Sequence, residues 1–316
     1  MKKRVWWLIL FAAIYLNNSS FFVRPKGKPL LFAHRGLAQT FPMEGITGQT
    51  NTARIIYEPE HPYLENTILS MEAAFSRGAD LVELDLQLTR DGEFAVFHDW
   101  LLDYRTEKQG ALRDYTMAEL KKVDVGYGYT ADQGKTYPFR GKGVGLMPTL
   151  PEVLAHFPKE HLVLHLKSDE QKDGEKLGEY LSLLSDENLG RLVVYGGDRS
   201  IAALHERLPQ LRVMSKATMI EGLLAYMAIG WTGYVPGSLR NTQLHLPEKY
   251  APWLWGWPTR FLRRMEGANS RVILVAGEGG FSEGFDTVED LMRLPRGYTG
   301  GIWTNRIDRI ASVFSR

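Results

Sequence analysis

Short apolar runs alternate with longer stretches of mixed polarity from residue 30 to the C-terminus. The runs are rich in Leu, Val, Ile and Phe, as expected of strands that are buried in a parallel sheet. The strand candidates are LLFAH (30–34), LVELDLQL (81–88), FAVFH (94–98), LVLHLK (162–167), RLVVYG (191–196), LRVMS (211–215), GYVPG (233–237), RVILVAG (271–277) and GGIWT (300–304). The helix candidates between them are 66–78, 116–124, 150–157, 175–186, 198–209 and 287–295.

The alternation of strands and helices predicts a parallel α/β fold. About eight strands favour a closed barrel over an open sheet, so we expect a TIM-type (β/α)8 barrel with inserted loops. RDG (90–92), which lies between two strand candidates, predicts a local hairpin-type turn. No internal repeat or second-domain linker follows residue 30, and residues 25–316 are interpreted as one barrel domain.

The N-terminus departs from this pattern. MKKR precedes the apolar run VWWLILFAAIYL (5–16), as in a secretory signal. Extended through FFV (21–23), the apolar segment just reaches the roughly 20 residues that a membrane span needs. No A-x-A cleavage site follows, which favours an uncleaved anchor; the alternative is a buried first helix. We therefore expect residues 1–24 to be a signal anchor or signal peptide, with the catalytic domain outside the cytoplasm.

The composition of the chain mainly excludes some classes of function and chemistry. The 316 residues suit a single barrel with insertions, and 44% of them are hydrophobic. The net charge is +1, which gives no sign of a nucleic-acid partner. The chain has no cysteine, which excludes disulfides and thiol chemistry.

An acidic pair lies on the second strand candidate. Glu83 and Asp85 are two residues apart, so both carboxylates point to the same face of the strand. Two like charges inside a barrel repel each other unless a cation or a proton lies between them. Carboxylate oxygens suit a hard divalent ion, Mg²⁺ or Ca²⁺.

Two histidines end the strands on either side of this pair. His34 and His98 each follow an apolar run directly, and catalytic groups of parallel barrels cluster at the carboxyl ends of strands. A single strand-end histidine is usually structural, but two of them around an acidic pair indicate an acid/base pair beside a metal. Five other histidines are interpreted as structural; they are His61, His156, His161, His205 and His245.

Arg35 and Lys167 also stand at strand ends, where they can supply positive charge to a phosphate. Gly36 leaves room for phosphate to approach the backbone. Asn66 or Thr67 can cap the helix that follows Glu65.

The segments AHRG, ENT, VELDLQLTRDGEFAVFHD and LKSD, in this order, resemble the glycerophosphodiester phosphodiesterase family. The resemblance extends from about residue 30 to GGIWTNR near the C-terminus. It implies a TIM-type barrel that cleaves glycerol-phosphate diesters with a divalent metal. The implied roles are acid/base catalysis for His34 and His98, metal binding for Glu83, Asp85 and Glu65, and phosphate binding for Arg35 and Lys167.

Two departures from the family pattern bear on the metal and the substrate. Many members carry a further metal-binding glutamate where this chain has His165, which suits Mg²⁺ and Ca²⁺ poorly and favours a looser site or a softer ion. A long stretch between Gly36 and Glu65 replaces a short connection and is expected to roof the site, which predicts a different substrate.

The resulting expectation is a membrane-anchored, metal-dependent phosphodiesterase that acts on glycerophosphodiesters or lysophospholipids. Its products would be an alcohol and glycerol phosphate or lysophosphatidate. The alternatives are a phospholipase D of the toxin type, which releases a cyclic phosphate, and a catalytically silent lipid-binding barrel. The tryptophan-rich loop Trp253–Trp257 either packs as core or contacts lipid near the barrel mouth.

Overall fold

The strand that carries the acidic pair is buried along its whole length. The computed structural model describes residues 2–280 and 283–314, with side chains from Val5 onward. The nine strands are β1 (Leu30–Ala33), β2 (Leu81–Leu88), β3 (Phe94–Val96), β4 (His161–Leu166), β5 (Leu192–Gly196), β6 (Arg212–Ser215), β7 (Gln243–Pro247), β8 (Arg271–Val275) and β9 (Gly301–Thr304).

The strands form one sheet in the order β6-β5-β4-β2-β1-β9-β8-β7, with β3 paired to β2. All pairings along this path are parallel, whereas β3 runs antiparallel to β2 after the RDG turn, as predicted. No ladder joins β6 to β7 among the described residues; there the Thr242 hydroxyl donates to the Val213 carbonyl. The result is a nearly closed barrel of eight parallel strands, which confirms the predicted fold.

Helices surround the sheet. They are α1 (Lys2–Asn18), α2 (Ile68–Ser76), α3 (Met117–Leu120), α4 (Leu150–His156), α5 (Gln171–Leu181), α6 (Asp186–Leu189), α7 (Asp198–Arg207), α8 (Lys216–Ile229), α9 (Thr259–Gly267), α10 (Val288–Leu291) and α11 (Ile307–Ile310). Thr67 caps α2 and accepts from the Ser70 amide, which settles the choice between the two predicted caps.

The two faces of β2 explain how the site is positioned. Val82, Leu84 and Leu86 face outward and join the apolar layer between sheet and helices. Glu83 and Asp85 alternate with them and face the barrel interior, fully buried. Below the acidic pair, the interior is filled by an apolar cluster that includes Leu81, Phe32 and Trp303.

A second apolar core lies beside the barrel. It is formed by residues of the segment between β3 and α4 together with Ala53, Ile56 and Leu64 from the stretch before α2. Both inserted stretches therefore pack together as one module, which is called the insertion core below.

One predicted strand is wrong. Residues 233–237 form no strand: Gly233 has a left-handed φ of 93°, and a 3-10 helix, Gly237–Leu239, follows. The seventh barrel strand is instead Gln243–Pro247, in which Gln243 and His245 alternate with the buried Leu244 and Leu246. The polar side chains concealed this strand, because they face the inside of the barrel rather than water.

The N-terminal apolar segment forms a helix whose end is fastened to the barrel. The Asn18 amide donates to the Trp231 carbonyl at 2.8 Å, and Arg264 donates to the Asn17 carbonyl at 2.8 Å. The apolar side chains from Val5 to Phe11 are exposed, so α1 is not a buried first helix. Among the described residues, no helix combines the length and the apolar character needed to cross a membrane.

Candidate active site

The predicted site residues meet at the carboxyl end of the barrel. His34 and Arg35 follow β1, His98 follows β3, and Lys167 follows β4. His165 lies in β4 directly beside Asp85 of β2 in the parallel register. The structure brings these side chains together from segments that are far apart in the chain.

Two side chains and one backbone amide form hydrogen bonds to the acidic pair. The Tyr195 hydroxyl donates to Glu83 Oε1 at 2.9 Å, and the Arg35 amide donates to Glu83 Oε2 at 3.1 Å. Asn66 donates its side-chain amide to Asp85 Oδ2 at 2.9 Å and accepts the Asp85 amide at the same distance. Asn66 is thus an anchor for Asp85 rather than a helix cap.

Burial and the neighbouring charges give the two carboxylates different pKa values. Burial and the neighbouring charge of Asp85 raise the pKa of Glu83 to about 8. Burial acts on Asp85 in the same direction, but the charges of Lys167, His98 and Arg35 outweigh it and hold the pKa of Asp85 well below its usual value. Asp85 is therefore the permanent anion of the site, and a cation between the two would ionise Glu83 as well.

Three side chains converge as metal donors. One ligand atom each from Glu83, Asp85 and His165 lies within 4.8 Å of the other two. His165 Nδ1 is 2.9 Å from Asp85 Oδ1 and 3.7 Å from Glu83 Oε1. The His165 ring is stacked on Tyr195 at a centroid distance of 4.2 Å. Two carboxylates and an imidazole fit a divalent metal ion.

Glu65 lies apart from these donors. Its carboxylate pairs with Arg35 at 3.2 Å and with Arg105 at 3.1 Å. Arg105 in turn donates to Asp99 at 2.7 Å, and Asp99 lies 2.7 Å from His98 Nδ1. A buried chain of ion pairs therefore links the two histidine-bearing loops. The role of Glu65 as a metal ligand stays a prediction.

The two histidines have different partners. His34 Nδ1 lies 2.8 Å from the side-chain oxygen of Asn305, whose own amide donates to Asp286, so Nδ1 carries the proton. Burial and the charge of Arg35 lower the pKa of His34 well below its usual value, so the ring is neutral, and its Nε2 accepts a hydrogen bond from Arg35 Nε at 3.1 Å. His98 also has a pKa lowered by burial and Arg35, but it contacts the carboxylate of Asp99.

The turn that carries His34 is tight. Arg35 has a left-handed φ of 56° and Gly36 one of 78°. A Cβ at Gly36 would lie 2.5 Å from Ser70 Oγ in α2, so the glycine is required by close packing on that helix. The expectation that the glycine leaves space for a phosphate stays a prediction.

A sequence model of the glycerophosphoryl diester phosphodiesterase family matches residues 34–217, which is more than half of the chain. The matched range includes both histidines and the three candidate metal ligands, but not Asn305 and Asp286. The chain belongs to this family.

Relatives and solved structures agree with the family. The chain is 36% identical over 166 residues to a Bacillus subtilis glycerophosphodiester phosphodiesterase, covering 49% of the chain and 54% of the relative. It is 27% identical over 184 residues to the Bacillus altitudinis enzyme of the same description, covering 58% of the chain and 64% of that relative. The matched stretch thus spans less than two thirds of each relative.

Solved family structures share the fold. A glycerophosphodiester phosphodiesterase from Agrobacterium tumefaciens superposes with a TM-score of 0.60 at 17% identity, covering 90% of this chain and 99% of that chain. A phosphodiesterase from Oleispira antarctica in complex with the product sn-glycerol-3-phosphate gives a TM-score of 0.58 at 17% identity, covering 92% and 98%. The barrel is that of the family.

The candidate site is partly covered by the long stretch before Glu65. Its residues Gln39, Phe41 and Met43 line a small cavity together with His34 and Arg35. Glu60 of the same stretch pairs with Arg306 and with Arg309, the latter at 2.6 Å, at the C-terminal end of the chain. The stretch lies against the site, as expected of a roof.

Several residues that hold the family site were not predicted. Asn305 follows β9 directly, so the rule that found His34 would also have found it. Tyr195 lies one residue before the end of β5, inside the predicted strand 191–196, so strand-end position could have indicated it as well. Arg105 and Asp286 carry no comparable local signal, since each reaches the site only through the tertiary fold.

Proposed function

We propose that this protein is a metal-dependent phosphodiesterase that hydrolyses glycerophosphodiesters to an alcohol and glycerol phosphate. The observation that carries the proposal is the position of His34 and His98 around the Glu83–Asp85–His165 group, with Lys167 3.7 Å from Asp85. Family membership and the descriptions of the Bacillus relatives support it.

The partners of the histidines support distinct roles. His34 is neutral, and its Nε2 accepts from Arg35 Nε at 3.1 Å. When Arg35 turns to the phosphoryl oxygens of a substrate, Nε2 is proposed to remove the proton from the attacking hydroxyl. Asp99, whose pKa lies at about 2, stays ionised and stabilises His98 when the ring is protonated. His98 is therefore proposed to protonate the leaving alcohol.

The charges around the site support phosphate binding. Arg35 and Lys167 are proposed to orient the phosphoryl oxygens, Arg35 through its planar guanidinium. A divalent ion held by Glu83, Asp85 and His165 would add positive charge beside the same oxygens. The carboxylate oxygens of Glu83 and Asp85 favour Mg²⁺ or Ca²⁺, while the imidazole of His165 favours a softer ion such as Zn²⁺.

We also propose that the enzyme works at a membrane, with the catalytic domain outside the cytoplasm and lysophospholipids as a second substrate class. The basic start and the exposed apolar face of α1 support this. In the loop after β7, on the carboxyl side of the barrel, Trp253 is 71% exposed and Trp255 38% exposed. Trp257 instead packs against Phe261 and Tyr298 and belongs to the core.

Product analysis tests the proposal. The protein is incubated with a panel of glycerophosphodiesters and lysophospholipids, with and without chelator, and the phosphorus products are identified by ³¹P NMR. Glycerol phosphate or lysophosphatidate that appears only with metal is the expected result. A cyclic phosphate would identify a phospholipase D of the toxin type. Metal binding without turnover of any substrate would identify a silent lipid-binding barrel.

A further inference from the structure

A second polar cavity lies at the opposite end of the barrel from the active site. Its lining includes Leu30, Arg212, Arg271 and Gly301, which are the first residues of β1, β6, β8 and β9. Because these strands are parallel, their amino ends all lie away from the carboxyl ends that carry His34 and Lys167. The cavity has a volume of about 270 Å³, and α9 forms one wall.

The lining carries an excess of positive charge. Lys26, Arg212, Arg263 and Arg271 face Glu266, the one carboxylate among the lining residues. In the described part of the chain, none of the four cations has a carboxylate within ion-pair distance. An active-site arginine such as Arg105, by contrast, pairs with two carboxylates.

The arginines are satisfied only by neutral acceptors. Arg212 donates to the Asn269 carbonyl at 3.2 Å and to its side-chain oxygen at 2.9 Å. Arg271 donates to the Gln243 side chain at 3.3 Å. Arg263 donates to the Arg24 carbonyl, also at 3.3 Å. These bonds orient the guanidinium groups without neutralising them.

Burial makes this arrangement costly. Arg212 and Arg271 are both half-buried. Burial and the nearby charge of Arg212 lower the pKa of Arg271 to about 10 and outweigh the opposing charge of Asp80, which lies beyond ion-pair distance; burial lowers the pKa of Arg212 as well. Desolvated like charges favour a counter-ion between them. A bound anion would supply one.

We propose that this cavity binds the phosphate group of an organic phosphate ester, with Arg212 and Arg271 as its principal donors. Arginine forks match phosphate oxygens in charge and geometry. The volume exceeds that of a bare phosphate, and Leu30, Leu262 and Val272 provide an apolar wall for the organic part. The site is independent of the catalytic role proposed above.

The position of the N-terminal segment links this cavity to lipid. Lys26 at its rim belongs to the linker that follows α1, and Ser20 just before that linker donates to the Gly256 carbonyl at 2.8 Å. The phosphate group can therefore come from a free glycerol phosphate or from an anionic phospholipid headgroup. Both sources present the same chemistry to the arginines.

Calorimetric titration of the full chain in detergent with sn-glycerol-3-phosphate tests the proposal. Arg271→Gln and Arg212→Gln, made separately, are expected to weaken binding at this site by about tenfold or more, because each removes a charge-assisted contact. Lys167→Met, which alters the active site, is expected to leave it intact. Arg207→Gln, an exposed arginine of α7, serves as the matched control.

The outcomes decide between the sources and the rival roles. A second experiment compares binding to phosphatidylglycerol and phosphatidylcholine vesicles. If the two arginine variants lose the preference for phosphatidylglycerol and the protein shows no binding of soluble glycerol phosphate at this cavity, the ligand is the lipid headgroup. The proposal is overturned if the two arginine variants bind both ligands as tightly as the unchanged protein does. It is also overturned if only Lys167→Met removes the binding. Unfolding of both arginine variants would show that these residues are structural and would also overturn it.

Discussion

Two histidines of one site differ through their neighbours. His34 is fixed by a neutral amide, Asn305, and His98 by an ionised carboxylate, Asp99. Burial lowers the pKa of both and the charge of Asp85 raises the pKa of both, but only His98 has a carboxylate as its direct hydrogen-bond partner. At the scale of single residues, the identity of the hydrogen-bond partner therefore assigns base and acid.

Removal of either imidazole should abolish most of the activity. His34→Ala and His98→Ala are each expected to lower kcat by about 10²-fold or more, the usual contribution of a general acid or base. Steady-state kinetics with a soluble glycerophosphodiester measure this, and circular dichroism checks that the fold is retained. Near-normal turnover in either variant would contradict its assigned role. His205→Ala, an exposed histidine on α7, is the control.

Replacement of Asp99 should move the pH profile. As the acid, His98 acts only while protonated, so the rate falls as the pH rises through its pKa. Asp99→Asn removes the negative charge that supports the protonated ring, which lowers the pKa of His98 and moves the alkaline limb of kcat to lower pH. A pH–rate profile of the variant measures the shift. An alkaline limb that does not move, or moves upward, would assign the acid elsewhere.

His165 should decide the metal preference. His165→Glu supplies a hard oxygen ligand and is expected to tighten Mg²⁺ or Ca²⁺ binding about tenfold while weakening Zn²⁺ binding. Calorimetric titration of the metal-free protein measures both affinities without reliance on turnover. His161→Glu, at the exposed start of the same strand, is the control. Unchanged affinities in His165→Glu would place this residue outside the metal site.

At the scale of elements, the insertion core is fastened to the barrel through one buried arginine. Arg105 leaves the segment after β3 and pairs with Asp99 and Glu65, and its guanidinium also lies 5.4 Å from the Tyr129 ring centroid. The two carboxylates come from different loops of the barrel. One side chain therefore joins the inserted segment, the His98 loop and the entrance to α2.

Loss of this arginine should destabilise the fold strongly. Arg105→Met leaves two buried carboxylates without their partner, which typically costs about 3–5 kcal/mol. Urea unfolding measures the change in the free energy of unfolding. Arg90→Met breaks an exposed pair with Glu119 and should cost about 1 kcal/mol or less. Equal losses of stability in the two variants would show that the buried ion pairs of Arg105 contribute no more than an exposed ion pair.

At the scale of the whole molecule, one set of exposed apolar side chains lies on α1, the loop after β7 and α8. The exposed side chains of α1, Trp253 and Trp255, and the outer face of α8 at Ile220 and Leu224 are all open to solvent. Trp255 connects its loop to α8 by donating to the Met227 carbonyl at 2.8 Å. Such apolar exposure is typical of surfaces that contact membranes or other proteins.

The loop tryptophans should contribute to lipid binding. A chain without residues 1–24 is expected to retain binding to anionic vesicles, and Trp253→Ala with Trp255→Ala should weaken this binding several-fold. Lysophospholipid cleavage should fall more than cleavage of a water-soluble diester. Trp257→Ala, which opens a core position, is expected to lower stability instead. Equal losses on both substrates in the double variant would argue against a lipid-contacting role.

Much of the site was predictable because it obeys local rules. The β2 alternation placed Glu83 and Asp85 on one face, and apolar runs that end in polar residues located His34, His98 and Lys167. The β7 strand escaped this reasoning because its inward side chains are polar. Trp257 could not be separated from Trp253 and Trp255 by sequence, because burial depends on what α9 and the rest of the fold place over each ring.

The sequence by itself determined the barrel, the family and the chemical groups at the strand ends, because periodicity and strand-end position are properties of neighbouring residues. Only the tertiary structure decided the partners: Asn305 for His34, Arg105 between Asp99 and Glu65, and the uncompensated Arg212 and Arg271 at the opposite end. The ionisation and orientation of a buried group depend on charges and dipoles that the fold brings within a few ångströms from distant parts of the chain.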